Sequence, residues 1–373
     1  MASKARIFTR RFFVYANVLL VLLFLLACLV PFVDPQDGWV FGFLGLSFPF
    51  LFLLVIFFMA GWLIILKPKR ALISALALLF GWKNINVLFA FNKPRTFQME
   101  KAPGTLRIAT WNVARFIELK KNNNKGSLIR LKMFDQIKEQ NADVLCLQEF
   151  HTSTDTNYYN NIAPIQQLGY PYYYFSFDQD GDNHYYSSII FSKLPFIDTA
   201  RFRYPRPSLP DVLMYADIAY QGDTIRVYTT HMQSIQFGKQ DYDRIGRIAN
   251  GNDSLVADSR TILGKIRKGF LRRSLQTNMA HEVMSLSPHP QILCADLNDI
   301  PDSYTYFNMR GDKQDAFLKK GFGIGRTFAG ISPTLRIDYI MPDQQFRIIQ
   351  FKRIARKLSD HYMLVADLEL KKS

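Results

Sequence analysis

The chain has 373 residues, 49% of them hydrophobic, with 46 Lys+Arg against 31 Asp+Glu for a formal net charge of +15. That length leaves room for one large domain plus a membrane region. The three cysteines, Cys28, Cys146 and Cys294, show neither metal-type spacing nor a disulfide framework, and the basic surplus favours anionic partners: phospholipid headgroups, nucleic acid or phosphorylated substrates.

The first hundred residues carry 10 Lys+Arg and 3 Asp+Glu and read as a membrane unit. Lys4, Arg6, Arg10 and Arg11 precede an uncharged apolar stretch over residues 12–33, close to the ~20 residues a spanning helix needs. An acidic turn at 34–38 follows, then a second uncharged stretch over 39–66, closed by Lys67, Pro68, Lys69 and Arg70. A third stretch over 71–91 is interrupted by Lys83, Asn84 and Asn86. A lysine at a span's centre costs about 2.5–3.5 kcal/mol. The third stretch therefore reads either as a span whose lysine snorkels to an interface or as a helix lying in that interface. The basic loops predict that the N-terminus and 67–70 are cytoplasmic. Three spans then put the rest of the chain outside, and two leave it in the cytoplasm. The first stretch also admits a cleaved signal peptide, although another apolar run follows at once. Leu25-Leu26-Ala27-Cys28 loosely resembles a lipobox, although apolar residues continue past it. Residues 92–104 are polar with Pro and Gly and read as a linker.

Beyond residue 104, apolar β-type runs recur at 106–113, 144–148, 188–191, 225–230, 291–295, 337–341 and 363–370. Helical patterns lie at 127–140 and 258–285. Strands mixed with helices predict an α/β or α+β domain built on sheets over 105–373. Polar residues stand at the strand ends: Asn112, Glu149, His231, Asp296, Asn298, Asp338, Asp360 and His361. A rigid sheet can project such residues into one cleft. An oxygen-rich set of this kind suits Mg²⁺ or Mn²⁺. It also supplies what phosphate-ester hydrolysis needs: charge neutralisation, a positioned nucleophile and help for the leaving group. Taken singly, each residue has a plainer reading: a solvated strand end for Glu149, a core histidine for His231, a turn for Asp296–Asn298, an ion pair for Asp338, a helix cap for Asp360.

Order and local sequence change that reading. The segments Ile108-Ala-Thr-Trp-Asn-Val113, Ala142-Asp-Val-Leu-Cys-Leu-Gln-Glu149, Ser188-Ile-Ile-Phe-Ser-Lys-Leu-Pro195, Val227-Tyr-Thr-Thr-His231, Ile292-Leu-Cys-Ala-Asp-Leu-Asn298, Arg336-Ile-Asp-Tyr-Ile340 and Leu358-Ser-Asp-His361 follow one another along the chain. Over about residues 105–370 it resembles the endonuclease/exonuclease/phosphatase superfamily, with its DNase I-like nucleases, neutral sphingomyelinases and inositol-phosphate phosphatases. The resemblance implies a two-sheet DNase I-like sandwich flanked by helices. It implies that Glu149, Asn112 and Asp360 line a Mg²⁺ (or Mn²⁺) site, with Glu149 the main ligand. Asp296 and Asn298 would hold the nucleophilic water and the phosphoryl oxygens. Asp338 would orient His361, a general acid/base or phosphoryl contact, and His231 would assist the transition state or the leaving group. Ala295 and Ser187 stand where the family often has glycine, and neither change removes a functional group. Thr-Thr-His231 is closer to DNase I-like and sphingomyelinase-like members than to abasic-site endonucleases.

Two features bear on substrate. Residues 260–273 carry six basic and no acidic side chains with apolar positions at helical spacing. Such a helix would either rest Arg267, Lys268, Arg272 and Arg273 on anionic lipid or pack on the sandwich with a solvated basic face. The aromatic-rich stretch 158–186 reads as core and surface tyrosine or as a substrate grip. The favoured expectation is an enzyme acting on a phosphate ester or diphosphate of a membrane lipid, its catalytic domain on the outer face of a bacterial inner membrane. The architecture resembles superfamily phosphatases with N-terminal spans and an external catalytic domain. A membrane-tethered nuclease acting on nucleic acid and a noncatalytic scaffold on the same fold are the alternatives. No protein partner is inferred.

Overall fold

The computed structural model describes residues 2–121, 128–205, 212–249, 255–330 and 334–371. The chain divides into a helical unit, Met1–Phe89 with Gln236–Ser274 and Pro301–Phe307, and a sheet-bearing unit made of the rest.

In the helical unit the first 89 residues form α1 (Ala2–Ala27), α2 (Pro35–Gly38), α3 (Val40–Ile64), α4 (Pro68–Phe80) and α5 (Trp82–Ile85). Among the described residues, two helical runs are long and apolar enough to cross a membrane: Phe8–Phe32, mean hydropathy 2.8, and Val40–Ile64, mean hydropathy 2.5. A short 3-10 turn containing Pro31 ends the first, and Asp34 caps α2 by accepting the Gln36 N–H at 2.8 Å. The third apolar stretch departs from the expectation of one helix over 71–91. α4 has 13 residues, about 20 Å at ~1.5 Å each, and gives way at Gly81 to the separate turn α5. Ala90–Phe91 is already strand.

Even so, this segment runs alongside α1. The buried Ser74 hydroxyl donates to Asn17 Oδ1 at 2.9 Å, and the Asn84 amide donates to Cys28 O at 3.4 Å. Gly81 permits that approach, because a Cβ there would meet Phe24 at 2.6 Å and Cys28 Sγ at 3.1 Å. α4 and α5 thus pack beside α1 along part of its length. Lys83 lies over the Phe32 ring at 4.9 Å, level with the turn that closes the first run.

Residues 236–274, expected within the catalytic domain, belong to the helical unit. The cause lies in the apolar face of the helix Leu255–Ser285. Phe270 meets Phe43 edge-on at 5.3 Å, and Gln36 donates to Leu271 O at 2.6 Å and to Ser274 Oγ at 2.7 Å. The expected lipid-facing basic set is corrected in one member: Arg273 is 1% exposed, so its side chain cannot rest on a surface. Arg267 and Lys268 are exposed, with Arg267 over the Trp39 ring at 4.6 Å, and Arg272 is half-buried.

In the sheet-bearing unit the strands are β1 (Ala90–Phe91), β2 (Leu106–Asn112), β3 (Val144–Ser153), β4 (Tyr172–Phe175), β5 (His184–Ser192), β6 (Phe196–Arg203) and β7 (Val212–Tyr220). They continue with β8 (Asp223–His231), β9 (Gln291–Asp296), β10 (Phe322–Gly323), β11 (Asp338–Pro342), β12 (Phe346–Ile354) and β13 (Met363–Leu370). One sheet has the order β12-β13-β2-β3-β5-β4, the other β11-β9-β8-β7-β6, and β1 pairs only with β10. This is the expected two-sheet α/β sandwich. β2–β3 and β8–β9 are parallel, each with a helical crossover, and both pairs are buried nearly throughout. Ile108, Cys146, Val227, Ile292, Cys294 and Ile340 share one core cluster; Trp111, Leu147 and Phe150 fill a second with Met133, Phe134 and Ile137 of the helix Leu128–Gln140. Ser127, expected to open that helix, lies outside the described residues, as do 372–373.

The linker 92–104 has no regular structure, yet it is tied down. Asn92 donates to Leu318 O and Gly321 O at 2.9 Å each. Gln98 O and Met99 O accept from Arg107, whose guanidinium also makes a buried two-point pair with Asp367 at 2.7 and 2.9 Å.

Candidate active site

The strand register assembles the site. In the five-stranded sheet His231 pairs with Asp296 across β8–β9, and Asp338 pairs with Asp296 across β11–β9. Three functional side chains therefore stand in one row on three adjacent strands. In the six-stranded sheet Asn112 is opposite Gln148, and Glu149 follows at a bulge between Leu147 and Phe150 with φ +49°. A bulge re-aims a side chain and breaks the ladder locally. Here it brings Glu149 Oε1 to 3.2 Å from Asn112 Nδ2 and 3.6 Å from His231 Nε2.

Buried amides hold the two sheets in this relation. Asn112 Nδ2 donates to Asp296 Oδ2 at 2.9 Å as well as to Glu149, so one amide faces both carboxylates. Gln148 Nε2 donates to Thr110 Oγ1 on its own sheet at 3.0 Å and to Thr229 Oγ1 on the other at 2.9 Å. Asn298, at φ +50°, receives support at its own N–H from Asp296 Oδ1 at 2.9 Å. Its amide donates to Met232 O at 2.8 Å and lies 3.0 Å from His231 Nε2. The chain leaves Asn112 through Ala114, Arg115, Phe116 and Ile117, all at positive φ, a strained turn of the kind that gathers at functional sites.

His361 is the most constrained group. Its Nδ1 lies 3.1 and 3.0 Å from the two Asp338 carboxylate oxygens and 3.7 Å from Asp296 Oδ2. Trp111 Nε1 donates to His361 O at 3.0 Å, the Phe328 ring packs on the imidazole at 5.0 Å, and Thr327 Oγ1 accepts the Asp338 N–H at 3.1 Å. Burial by itself would pull the imidazole below its usual range, but Asp338 and then Asp296 outweigh it and push it up to about 10. His361 is thus an imidazolium at neutral pH, with Nδ1 donating to Asp338. Asp296 is fully buried, and burial pushes its carboxyl up, reinforced by Asp338 and opposed by His361, His231 and Asn112.

Asn112, Glu149, His231, Asp296, Asn298, Asp338 and His361 meet within this constellation, and Asp360 adds its charge to those felt by His361. Asp360 is exposed and accepts from the Ser359 hydroxyl at 3.1 Å. Asp296, Asp338 and His361 offer ligand-type atoms within 4.8 Å of one another. That trio is a candidate metal group by spacing, with His361 Nδ1 already engaged by Asp338. The oxygens of Glu149 and Asp296, tied to one amide, are the donor set that fits a hard divalent cation. Gln148, Thr229, Trp111 and Ser359 carry the scaffolding and were not singled out. Their one sequence signal is a polar side chain inside an apolar strand, as at Gln148.

A family model described as Endonuclease/Exonuclease/phosphatase family matches residues 109–361, and a model of a domain of unknown function matches 10–88. No curated protein matches the chain. Among solved structures, the human Nocturnin catalytic domain with bound sulfate is similar at 16% identity, TM-score 0.50, over 72% of this chain and 94% of that one. An endonuclease/exonuclease/phosphatase from Beutenbergia cavernae is similar at 19% identity, TM-score 0.49, over 72% of each chain. A Bacteroides thetaiotaomicron protein of that family is similar at 16% identity, TM-score 0.47, over 73% of this chain and all of that one.

Proposed function

The chain belongs to the endonuclease/exonuclease/phosphatase family, and from that premise we propose that it is a membrane-anchored, Mg²⁺- or Mn²⁺-dependent phosphoric ester hydrolase. The observation that carries the chemistry is the single row His231–Asp296–Asp338 with His361 locked on Asp338 and Glu149 and Asn112 facing it. The chemistry a divalent cation supplies at such a site is charge neutralisation on phosphoryl oxygens. Glu149 and Asp296 would hold it, with Asn112 and Asp360 at its margin. Asp296 and Asn298, joined by the Asn298 N–H donating to Asp296 Oδ1 at 2.9 Å, would place the attacking water. With Nδ1 committed to Asp338, His361 presents Nε2 as a cationic donor to the phosphoryl group. His231 stands between Glu149 and Asp296 and would aid the leaving group.

The substrate we propose is the phosphate ester or diphosphate of a membrane lipid. What supports this is the helical unit: Phe50, Leu53, Phe57, Ile64 and Leu66 of the α3 region are between 58% and 82% exposed. Soluble surfaces rarely carry continuous apolar patches of that extent. With the α4–α5 segment as a third crossing and Lys67–Arg70 and the N-terminus on the cytoplasmic side, the catalytic domain would lie on the outer face of the membrane. Full-length protein in detergent with Mg²⁺, offered a lipid diphosphate, a generic phosphodiester and DNA, tests this reading. Preference for the lipid supports it, and preference for DNA would favour a tethered nuclease.

A further inference from the structure

The basic end of the helical unit holds a groove of about 850 Å³ between α1 and α3, lined by Arg10, Phe13, Phe57, Phe58, Trp62 and Ile65. Trp62 is 5% exposed, and its indole N–H has no hydrogen-bond partner among the described residues. The Arg70 guanidinium lies over the Trp62 ring at 4.9 Å, with its Nη1 also buried and without an acceptor. Both donors are shut off from solvent, and leaving them unpaired is costly, so the acceptor they lack fits a polar group that enters the groove. The chain segments that form this end carry Arg10, Arg11, Lys67, Lys69 and Arg70 and, within residues 1–33 and 39–89, no acid. The two acids of the first 89 residues, Asp34 and Asp37, lie in the turn at the other end of α3. A second groove of about 610 Å³, between α1 and α4, is lined by leucines, Val21, Ile73, Ala77 and Phe80, with no donor and no charge. It gives a lipid chain a surface but offers a headgroup nothing.

We infer that the groove between α1 and α3 is a binding site for one anionic phospholipid of the leaflet that faces the N-terminus. An acyl chain lies along Phe13, Phe57, Phe58 and Ile65. The phosphate oxygens accept from Trp62 Nε1 and Arg70, and Arg10 closes the headgroup from the α1 side. Two guanidinium groups with no neighbouring carboxylate select a headgroup of net negative charge, because nothing here receives the ammonium of a zwitterionic lipid. The site rests on the membrane placement proposed above.

The test uses the full chain purified in mild detergent and exposed to equal amounts of phosphatidylglycerol and phosphatidylcholine, with bound lipid counted by native mass spectrometry. A parallel flotation assay with vesicles of the two lipids reports membrane placement by itself. Phosphatidylglycerol is expected to be retained over phosphatidylcholine by at least roughly tenfold. Arg10→Gln with Arg70→Gln is expected to bring the two within about twofold of each other. Trp62→Phe, which keeps the ring and removes the N–H, is expected to lower retention while the circular dichroism stays helical. Equal retention of both lipids by the unsubstituted protein, or a preference that survives the double substitution, would overturn the site even where flotation succeeds. Failure to float would remove the membrane placement and the site together.

Discussion

Replacing Asp338 by Asn should convert His361 from a fixed cation into an ordinary or depressed imidazole. The two Asp338 oxygens lie 3.1 and 3.0 Å from His361 Nδ1, and the pair is almost fully buried. With the carboxylate present the imidazole stands at about 10, so it is essentially all protonated at pH 7.5. Without it, burial has only Asp296 and the exposed Asp360 to oppose it, and Asp296 is itself pushed toward its neutral form. The imidazole should then titrate at or below the ordinary value of ~6.5, leaving no more than about a tenth of it charged at pH 7.5. Losing a positioned acid typically costs roughly 10²–10⁴ in rate. The assay is an NMR titration of the His361 ring in chelator, beside a pH–rate profile of phosphodiester hydrolysis. The ring titration should fall by several pH units, and the variant should recover activity as pH is lowered. Because the folded value lies above the unfolded one, the pair's contribution to stability is full below about pH 6.5 and fades as pH rises through about 10. A variant whose His361 still titrates near 10, or whose pH–rate profile is unchanged, would refute the assignment of Asp338 as its charge partner.

Other expectations follow from the same geometry. Glu149→Ala should lose most activity but regain part of it in excess Mg²⁺ or Mn²⁺, whereas His361→Ala should show no such rescue; initial rates across a metal titration separate them. Gln148→Leu removes the amide that joins Thr110 to Thr229 across the sheets. Leaving those buried hydroxyls short of partners should cost about 1–3 kcal/mol in denaturant unfolding, with a fall in activity beyond that explained by unfolding. A reporter fused at Lys69 should read as cytoplasmic and one fused to the C-terminus as external; a cytoplasmic C-terminus would mean that the α4–α5 segment does not cross.

Much of the sandwich was legible because its central strands are apolar runs ending in a polar residue: β2, β9 and β13 were expected nearly to the residue. The edge strands β4, β6 and β12 were missed because they alternate weakly and stay half-exposed. β7 is interior and apolar, but Asp217 breaks its pattern. That aspartate is paired with Arg226 on β8 at 2.6 and 2.7 Å, a relation fixed by cross-strand register. The site was legible as eight strand-end residues in order. Their contacts were not, because the row His231–Asp296–Asp338 depends on which strands become neighbours. Lys83 looked like an obstacle to a third pass because its distance from the helix end is set by the break at Gly81, which only packing against Phe24 and Cys28 explains. In the basic stretch 260–273 the apolar face was legible, but helical spacing could not tell that Arg273 lies on the buried side with Phe270.

The most direct test is hydrolysis of a phosphodiester by the full-length protein after metal removal verified by elemental analysis, then with Mg²⁺ or Mn²⁺ restored. Activity should vanish on removal and return with either cation in the unsubstituted protein, while Glu149→Ala needs more metal for the same recovery. Full turnover in the verified metal-free protein would contradict the assignment of Glu149 and Asp296 as a cation site serving phosphoester hydrolysis.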